Sequence, residues 1–350
     1  MGKLAVYKYF SMMFLIVQIV LTIFTFVGLW GGEVSPVGNT ARAMLVYVLP
    51  LLIVANAVML VYWLVRRTWI VAAIPLVTLL SCIPYIGTMY QLRGLPDDDT
   101  HSGLKIATYN VAVFGRETSG FMAQDILSVM KSQRVDVLCL QEYADASGDK
   151  RNSDRYKEVF PYMAKGNDDM VIFSRYPIKN QKNIPFEGTN NSAMWADINV
   201  YGKVVRVMNV HLETTGFNRT MRHAAKMEFA GQQVEKNSLI KAIYNNYTLG
   251  MIIRAGQAMT VANEKRNSPF PTVVCGDFND VPYSYVYNVM LGDMVDGFKE
   301  CGSGLMTTYR GKKAVRIDYI FHDKSLEGVT YYKQDISYSD HNPVFMKIAL

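Results

Sequence analysis

Hydrophobic and polar positions divide this chain into two parts with different patterns. Three long apolar stretches fill the first 93 residues, at about 9–30, 44–64 and 69–92. None holds an Asp, Glu, Lys or Arg, and each is close to the ~20 residues that a helix needs to cross a bilayer. Trp30, Trp63, Trp69 and Tyr90 lie near their ends, where amphipathic rings suit the membrane interface. The pattern predicts a membrane region over residues 1–93 with three transmembrane helices. A cleaved signal peptide fits the first stretch less well, because it is too long for a signal core and no small-x-small site clearly follows.

After a polar linker at 94–103, the pattern changes to short apolar runs of strand length. They fall at 104–109, 135–140, 170–173, 204–210, 272–275, 317–321 and 343–348. Several are continuous rather than alternating, as in strands covered on both faces. Residues 121–133 have helical periodicity, with Met122, Ile126, Val129 and Met130 on one side. The proline-free segment 219–265 reads as one long helix or two, with a possible break at Asn245-Asn246. Residues 104–350 are thus predicted to form one α/β domain with helices outside packed sheets.

Charge adds an orientation and removes an argument. Lys3, Lys8 and the Arg66-Arg67 pair flank the spans on one side, and the first loop has no basic residue until Arg42 at its border. The positive-inside rule then places the N-terminus in the cytoplasm and everything after the third span outside it, with Arg93 opposing. Residues 104–350 would be extracytoplasmic, and periplasmic in a Gram-negative cell. The net charge of +6 comes almost entirely from the membrane region, where six basic residues face one Glu; the rest has 30 basic and 29 acidic residues. Bulk attraction to nucleic acid is therefore missing. The four cysteines have no metal or redox spacing and read as buried free thiols. The spans carry no acidic residue, which argues against transport.

The candidate chemistry sits in six short pieces. They are Thr108-Tyr109-Asn110, Leu140-Gln141-Glu142, Asn209-Val210-His211-Leu212, Gly276-Asp277-Phe278-Asn279-Asp280, Arg316-Ile317-Asp318-Tyr319 and Ser339-Asp340-His341. Five end a predicted strand, so their side chains can converge at one sheet edge. Asp318 lies inside its strand, where a buried carboxylate needs a partner; an imidazole is the natural one. Hard oxygen donors suit Mg²⁺, so Glu142, Asn110 and Asp340 are candidate metal ligands. Asp277 can orient or deprotonate water, and Asn279 can donate to a developing phosphorane charge. His211 and His341 titrate near neutrality, and Asp318 can fix the tautomer of His341. Asp168 or Asp169 could hold His211, while Asp280 and Glu213 are candidate supporting residues. His101, His223, His322, Arg254 and Gln257 receive no role.

Taken in order, these pieces resemble the endonuclease/exonuclease/phosphatase superfamily. It includes pancreatic deoxyribonuclease, apurinic endonucleases, sphingomyelinases, inositol polyphosphate 5-phosphatases and tyrosyl-DNA phosphodiesterases. Residues 173–178, Phe-Ser-Arg-Tyr-Pro-Ile, are similar to a strand-end signature of the same group. The resemblance covers about residues 105–350. It implies a four-layer αββα sandwich, Mg²⁺ or Mn²⁺ as cofactor, and the site roles given above. Ala112 and His211 depart from the apurinic endonuclease pattern, which has Asp and Tyr there. His211-Leu212-Glu213-Thr214-Thr215 is close to the tyrosyl-DNA phosphodiesterase form.

Three functions follow as expectations. The first is a membrane-anchored phosphoesterase acting on a phosphodiester or phosphomonoester, with a lipid-linked substrate among the candidates. The second is an extracytoplasmic nuclease. The third is a catalytically silent scaffold, against which the complete residue set argues. No protein partner is inferred.

Overall fold

A computed structural model describes residues 3–94, 103–116, 121–143, 151–167, 169–229, 233, 235–311 and 314–350. Most of the linker at 94–103, together with His101 and Asp168, lies outside the described residues. The chain forms two compact units, Met1–Thr88 with Val281–Asn288, and Met89–Asp280 with Val289–Leu350.

The first unit is built on helices α1 (Lys3–Leu29), α2 (Thr40–Val65) and α3 (Trp69–Ser81). Three segments, Lys8–Glu33, Thr40–Val65 and Trp69–Ile86, are long and apolar enough to span a membrane. Their outward side chains are large and apolar, Ile70 and Leu51 among the most exposed. Such a surface is stable against lipid and costly in water. Inside the bundle the pattern inverts. Gln18 Nε2 donates to Asn56 Oδ1 at 3.0 Å, Asn56 Nδ2 donates to Thr25 Oγ1 at 3.0 Å, and Thr22 and Thr78 hydroxyls meet at 3.2 Å. These bonds join all three helices within an otherwise apolar bundle.

The second unit is a sandwich of two six-stranded sheets. Its strands are β1 (Leu104–Asn110), β2 (Val137–Gln141), β3 (Tyr162–Lys165), β4 (Met170–Ser174), β5 (Ile178–Pro185), β6 (Ser192–Val200), β7 (Lys203–His211), β8 (Thr272–Asp277), β9 (Val295–Asp296), β10 (Asp318–His322), β11 (Glu327–Lys333) and β12 (Val344–Ala349). One sheet runs β9-β10-β8-β7-β6-β5 and the other β11-β12-β1-β2-β4-β3. Within each sheet two adjacent strands are parallel, β7 with β8 and β1 with β2, and the remaining pairings are antiparallel.

Alternation along the strands explains the core. Leu104 and Ile106, Val137 and Cys139, Val205 and Val207, Val273 and Cys275, and Val344 and Met346 belong to one buried cluster between the sheets. The opposite face of the second sheet, with Tyr109, Leu138, Leu140, Val171 and Phe173, packs on α4 (Phe121–Ser132) and α5 (Arg151–Val159) through Ile126, Met130 and Tyr156. Full burial on both faces is why these strands lack a polar side in the sequence. All four cysteines are free and buried.

Two helices follow β7, α6 (Phe217–Phe229) and α7 (Lys236–Arg266). Helix α7 runs straight through Asn245-Asn246, so the break expected there falls instead between Phe229 and Lys236. Asn is a poor helix former but costs only a fraction of a kcal/mol per position, too little to stop a helix with good residues on both sides.

Candidate active site

The inner-face alternation that builds the core also builds the site. On β1, β2, β7 and β8 the inward residues are apolar until the strand's end, then become Thr108 and Asn110, Gln141, Asn209 and His211, and Asp277. Register aligns these ends: Asn110 pairs with Gln141, and His211 with Asp277. Asp318 pairs with Asp277 from the other side. It is the first residue of β10 rather than an interior one. Because β10 is antiparallel to β8, a strand start and a strand end meet at the same edge.

Gly276 makes the approach of β8 to β7 possible. Its φ is +134°, and a Cβ there would stand 1.9 Å from the Val210 carbonyl oxygen. Both facts demand glycine. Gly276→Ala should therefore abolish the cooperative thermal transition of the catalytic unit; a transition within a few degrees of wild type, on the scale of ~2–4 °C per kcal/mol, would show that β8 can move away at little cost.

Asp277 lies at the centre of the cluster. Asn110 Nδ2 donates to Asp277 Oδ2 and to Glu142 Oε1, each at 3.1 Å. The Asn279 backbone N–H donates to Asp277 Oδ1 at 2.8 Å, and its side-chain amide donates to the Leu212 carbonyl at 2.9 Å and to Asp277 Oδ2 at 3.3 Å. Two imidazoles approach the same carboxylate. His341 Nε2 stands 3.6 Å from Asp277 Oδ2, and His211 Nε2 stands 4.0 Å from it and 3.9 Å from Glu142 Oε1.

Each imidazole is fixed from behind through Nδ1. Asp318 holds His341 with Oδ1 and Oδ2 at 3.1 and 3.0 Å, and Asp169 holds His211 at 2.9 Å. A carboxylate on Nδ1 selects the orientation that leaves Nε2 facing the pocket. Asp318 is itself held, because its backbone N–H and that of Ile317 both donate to Thr308 Oγ1 at 3.0 Å. Ser339 Oγ donates to the Asn110 carbonyl at 2.7 Å and accepts from the His341 N–H at 3.1 Å. The Tyr309 ring meets the His341 ring edge-on at 5.0 Å.

Burial and charge set the protonation pattern. Burial pushes Asp277 up to about 6, with His341 pulling it down and Asp318 pushing it further up. Burial alone would depress His341, but Asp318 and Asp277 outweigh it and hold the ring at about 10. His211 moves upward for the same reason: burial opposes, and Asp169, Asp277 and Glu142 prevail. Asp169→Asn removes the nearest of those charges, so the His211 pKa should fall, as read by the pH dependence of its ring NMR signals. An unmoved titration would show that Asp277 and Glu142 alone set it.

Asp277, Asp318 and His341 lie close enough together to grip an ion. Yet the His341 ring is cationic at neutral pH and its Nδ1 is taken by Asp318, so the trio works as a carboxylate–imidazolium–carboxylate array. The donors better suited to a hard cation are Glu142 and Asp340. Glu142 is 40% exposed on its side chain, and its Oε2 has no hydrogen-bond partner among the described residues. Asp340 is exposed, and its position is fixed by its backbone carbonyl, which accepts from the Arg310 N–H at 2.8 Å. Carboxylate oxygens open to water fit an ion that keeps several waters. Glu142 also has φ of +50°, a strained value for a non-glycine residue, as is common at functional positions.

Gln141 and Asn209, the sequence neighbours of Glu142 and His211 to which sequence reasoning gives no role, tie the two sheets together just behind them. Gln141 Nε2 donates to Asn209 Oδ1 at 2.6 Å and to Thr108 Oγ1 at 2.9 Å, while Asn209 Nδ2 donates to the carbonyls of Leu140 and Val171. Their visible signal was an amide at an inward strand position. His322 is buried, with its ring nitrogens on Glu300 and the Asp323 carbonyl, away from the cluster. His223 is exposed.

Fold and site together define a phosphoesterase of the endonuclease/exonuclease/phosphatase type. The Endonuclease/Exonuclease/phosphatase family profile matches residues 107–341, and the chain belongs to that family, whose members are metal-dependent phosphoester hydrolases. Residues 11–89 match a domain of unknown function (DUF8431). No curated protein matches the chain. Among solved structures, D. rerio TDP2 humanized by 14 mutations is 18% identical, with 71% of this chain and 99% of that chain covered and a TM-score of 0.52. A mannosyl-6-phosphatase of Bacteroides thetaiotaomicron is 16% identical, with 71% and 100% covered and a TM-score of 0.49. Sphingomyelinase C from Streptomyces griseocarneus is 17% identical, with 70% and 99% covered and a TM-score of 0.45.

Proposed function

We propose that this chain is a membrane-anchored, Mg²⁺-dependent hydrolase of a lipid-linked phosphoester, with its catalytic unit on the extracytoplasmic side. The observation that carries this reading is the convergence of Asp277 with two carboxylate-held imidazoles beside the exposed Glu142, in a chain that also has three apolar spans. A divalent ion held by Glu142 and Asp340, with Asn110 beside Glu142, would neutralise phosphoryl charge and favour ionisation of water.

The protein's own groups then divide the proton work. Asp277, with its basicity raised by burial, takes a proton from the attacking water. The new P–O bond forms as the bond to the leaving oxygen breaks. The imidazolium Nε2–H of His341, with the His211 ring beside it, stabilises the charge on phosphoryl oxygen and returns a proton to the leaving oxygen. Asp318 and Asp169 keep those N–H groups aimed inward. Asn279 holds Asp277 and the Leu212 carbonyl; a bond from its amide to the phosphoryl group would replace the 3.3 Å contact to Asp277.

The substrate reading rests on setting. Spans keep the enzyme in the bilayer, where lipid-linked esters are concentrated, whereas the near-neutral catalytic part offers no net attraction to a polyanion. The test is full-length protein in proteoliposomes with Mg²⁺, offered sphingomyelin, glycerophospholipids, phosphoinositides, plasmid DNA and RNA. Release of a phosphorylated or dephosphorylated headgroup supports the proposal. Cleavage confined to DNA or RNA would replace it with the nuclease reading. Silence on all substrates, with folded protein and bound metal, would favour the scaffold.

A further inference from the structure

We propose that Arg254 and Gln257 of α7 are positioning residues for the active site, holding in one register the loop that follows His211 and the loop that follows Asp277 and carries Asn279. The proposal rests on the hydrolase reading above. The buried face of α7 consists of Gly250, Met251, Arg254, Ala255, Gln257, Ala258, Val261 and Ala262. Six of these suit a packed helix. Arg254 and Gln257 do not, and a buried guanidinium is costly unless its partners are well placed.

Two of the segments they hold follow the strand ends of the site; Gln257 Nε2 also donates to Thr189 Oγ1 at 3.3 Å. The Glu213 peptide, two residues after His211, is held on both sides: its N–H donates to Gln257 Oε1 at 2.8 Å, and its carbonyl accepts from the Arg254 guanidinium at 3.1 Å. The same guanidinium donates through Nε to Asp280 Oδ2 at 3.2 Å, next to Asn279 and three residues after Asp277. The two loops also bond each other, through Asn279 Nδ2 to the Leu212 carbonyl and the Leu212 N–H to the Asp277 carbonyl. Gly250 shows how closely the helix approaches, since a Cβ there would stand 2.6 Å from the Thr214 carbonyl.

A purely stabilising helix face has a cheaper solution, because replacing a buried ion pair with apolar residues is often neutral or favourable. The polar pair instead fixes direction and distance. It sets the angle at which the chain leaves β7 after His211 and leaves β8 after Asp277. Placement errors of about 1 Å at reacting groups cost on the order of 10²-fold in rate.

The test uses full-length protein in nanodiscs and the variants Arg254→Met, Gln257→Met and Gln257→Glu. In Arg254→Met and Gln257→Met, kcat should fall about 10- to 100-fold with KM within about twofold. Gln257→Glu keeps the acceptor for the Glu213 N–H and should stay within about threefold of wild type. Combined with His211→Ala, Arg254→Met should add little further loss, as expected for groups acting as one unit. Additive losses, or folded variants with unchanged kcat, would overturn the proposal.

A second arm needs no turnover. Hydrogen exchange in peptides spanning 212–216 and 278–280 should rise about tenfold or more in both Met variants, while strand interiors stay protected. Unchanged exchange there overturns the proposal even if the wild-type enzyme proves silent on every substrate, a result that would count against the hydrolase reading instead. If Arg254→Met does not fold, Gln257→Met decides by both measures.

Discussion

Replacing Asp277 by Asn should lower turnover by about 10³-fold while leaving the protein folded. The amide keeps the shape of the carboxylate and can still accept from the Asn279 N–H at the Oδ1 position. It loses the capacity to take a proton from water and the charge that faces both imidazoles. Stability should hold or rise. Burial raises the folded pKa of Asp277 above its ordinary value, to about 6. An acid whose folded pKa is raised costs stability above its unfolded pKa, and that cost grows as pH rises through the window between the two values. Near neutrality the variant is free of that cost. A Tm within a few degrees of wild type, combined with lost activity, is the outcome that separates chemistry from folding.

The wild-type pH profile follows from the same groups. In the proposed mechanism Asp277 acts deprotonated, so rate should rise with pH along an acid limb at or below about 6, lower still with a cation bound nearby. The same mechanism uses the His341 proton, so rate should fall along an alkaline limb approaching 10. An Asp277→Asn protein with a residual rate should lose the acid limb.

Asp296→Ala should produce the largest loss of stability in the catalytic unit, about 3–5 kcal/mol. Asp296 grips the buried Arg316 guanidinium through both carboxylate oxygens, at 2.6 and 2.8 Å, and Oδ1 also accepts from the Phe298 N–H at the start of a helix. The rings of Tyr319 and Phe298 lie 4.6 and 5.0 Å from the guanidinium carbon. Truncating the carboxylate leaves a charged group buried among aromatics and removes the helix cap. Thermal unfolding in detergent should shift down by on the order of 10 °C. Arg316→Met should cost much less, because it removes the charge and keeps the packing. Equal losses in the two variants would mean that packing, not charge burial, dominates at this position.

Much of this site was legible before any fold was known, for a physical reason. An inward strand position is normally apolar, so Asn110, His211 and Asp277 at the ends of apolar runs were conspicuous. Asp318 was conspicuous as a carboxylate in a buried run, although its place at a strand start depended on antiparallel pairing that the sequence did not reveal. Other parts depended on contacts between distant segments. Asp169 holds His211 across 42 positions, and Arg254 reaches Asp280 across 26. No local pattern marks such pairs. Asp168 and Asp169 could be narrowed to two candidates but not ordered by spacing alone. The edge strands β3, β5, β9 and β11 have no continuous apolar run, being short or largely polar, and β6 alternates too irregularly to stand out, so the hydrophobic pattern marks none of these five. Asn245-Asn246 is the weakest helix-forming pair in its segment, yet packing carries α7 through it.

The most direct measurement is hydrolysis of a bis-nitrophenyl phosphate probe by full-length protein, after chelation and after return of Mg²⁺ or Mn²⁺, with Asp277→Asn alongside. Chelation should reduce turnover to that of the variant, and the ion should restore it in wild type alone. Turnover that survives both chelation and the Asp277→Asn substitution would place the chemistry elsewhere in the protein and contradict the site described above.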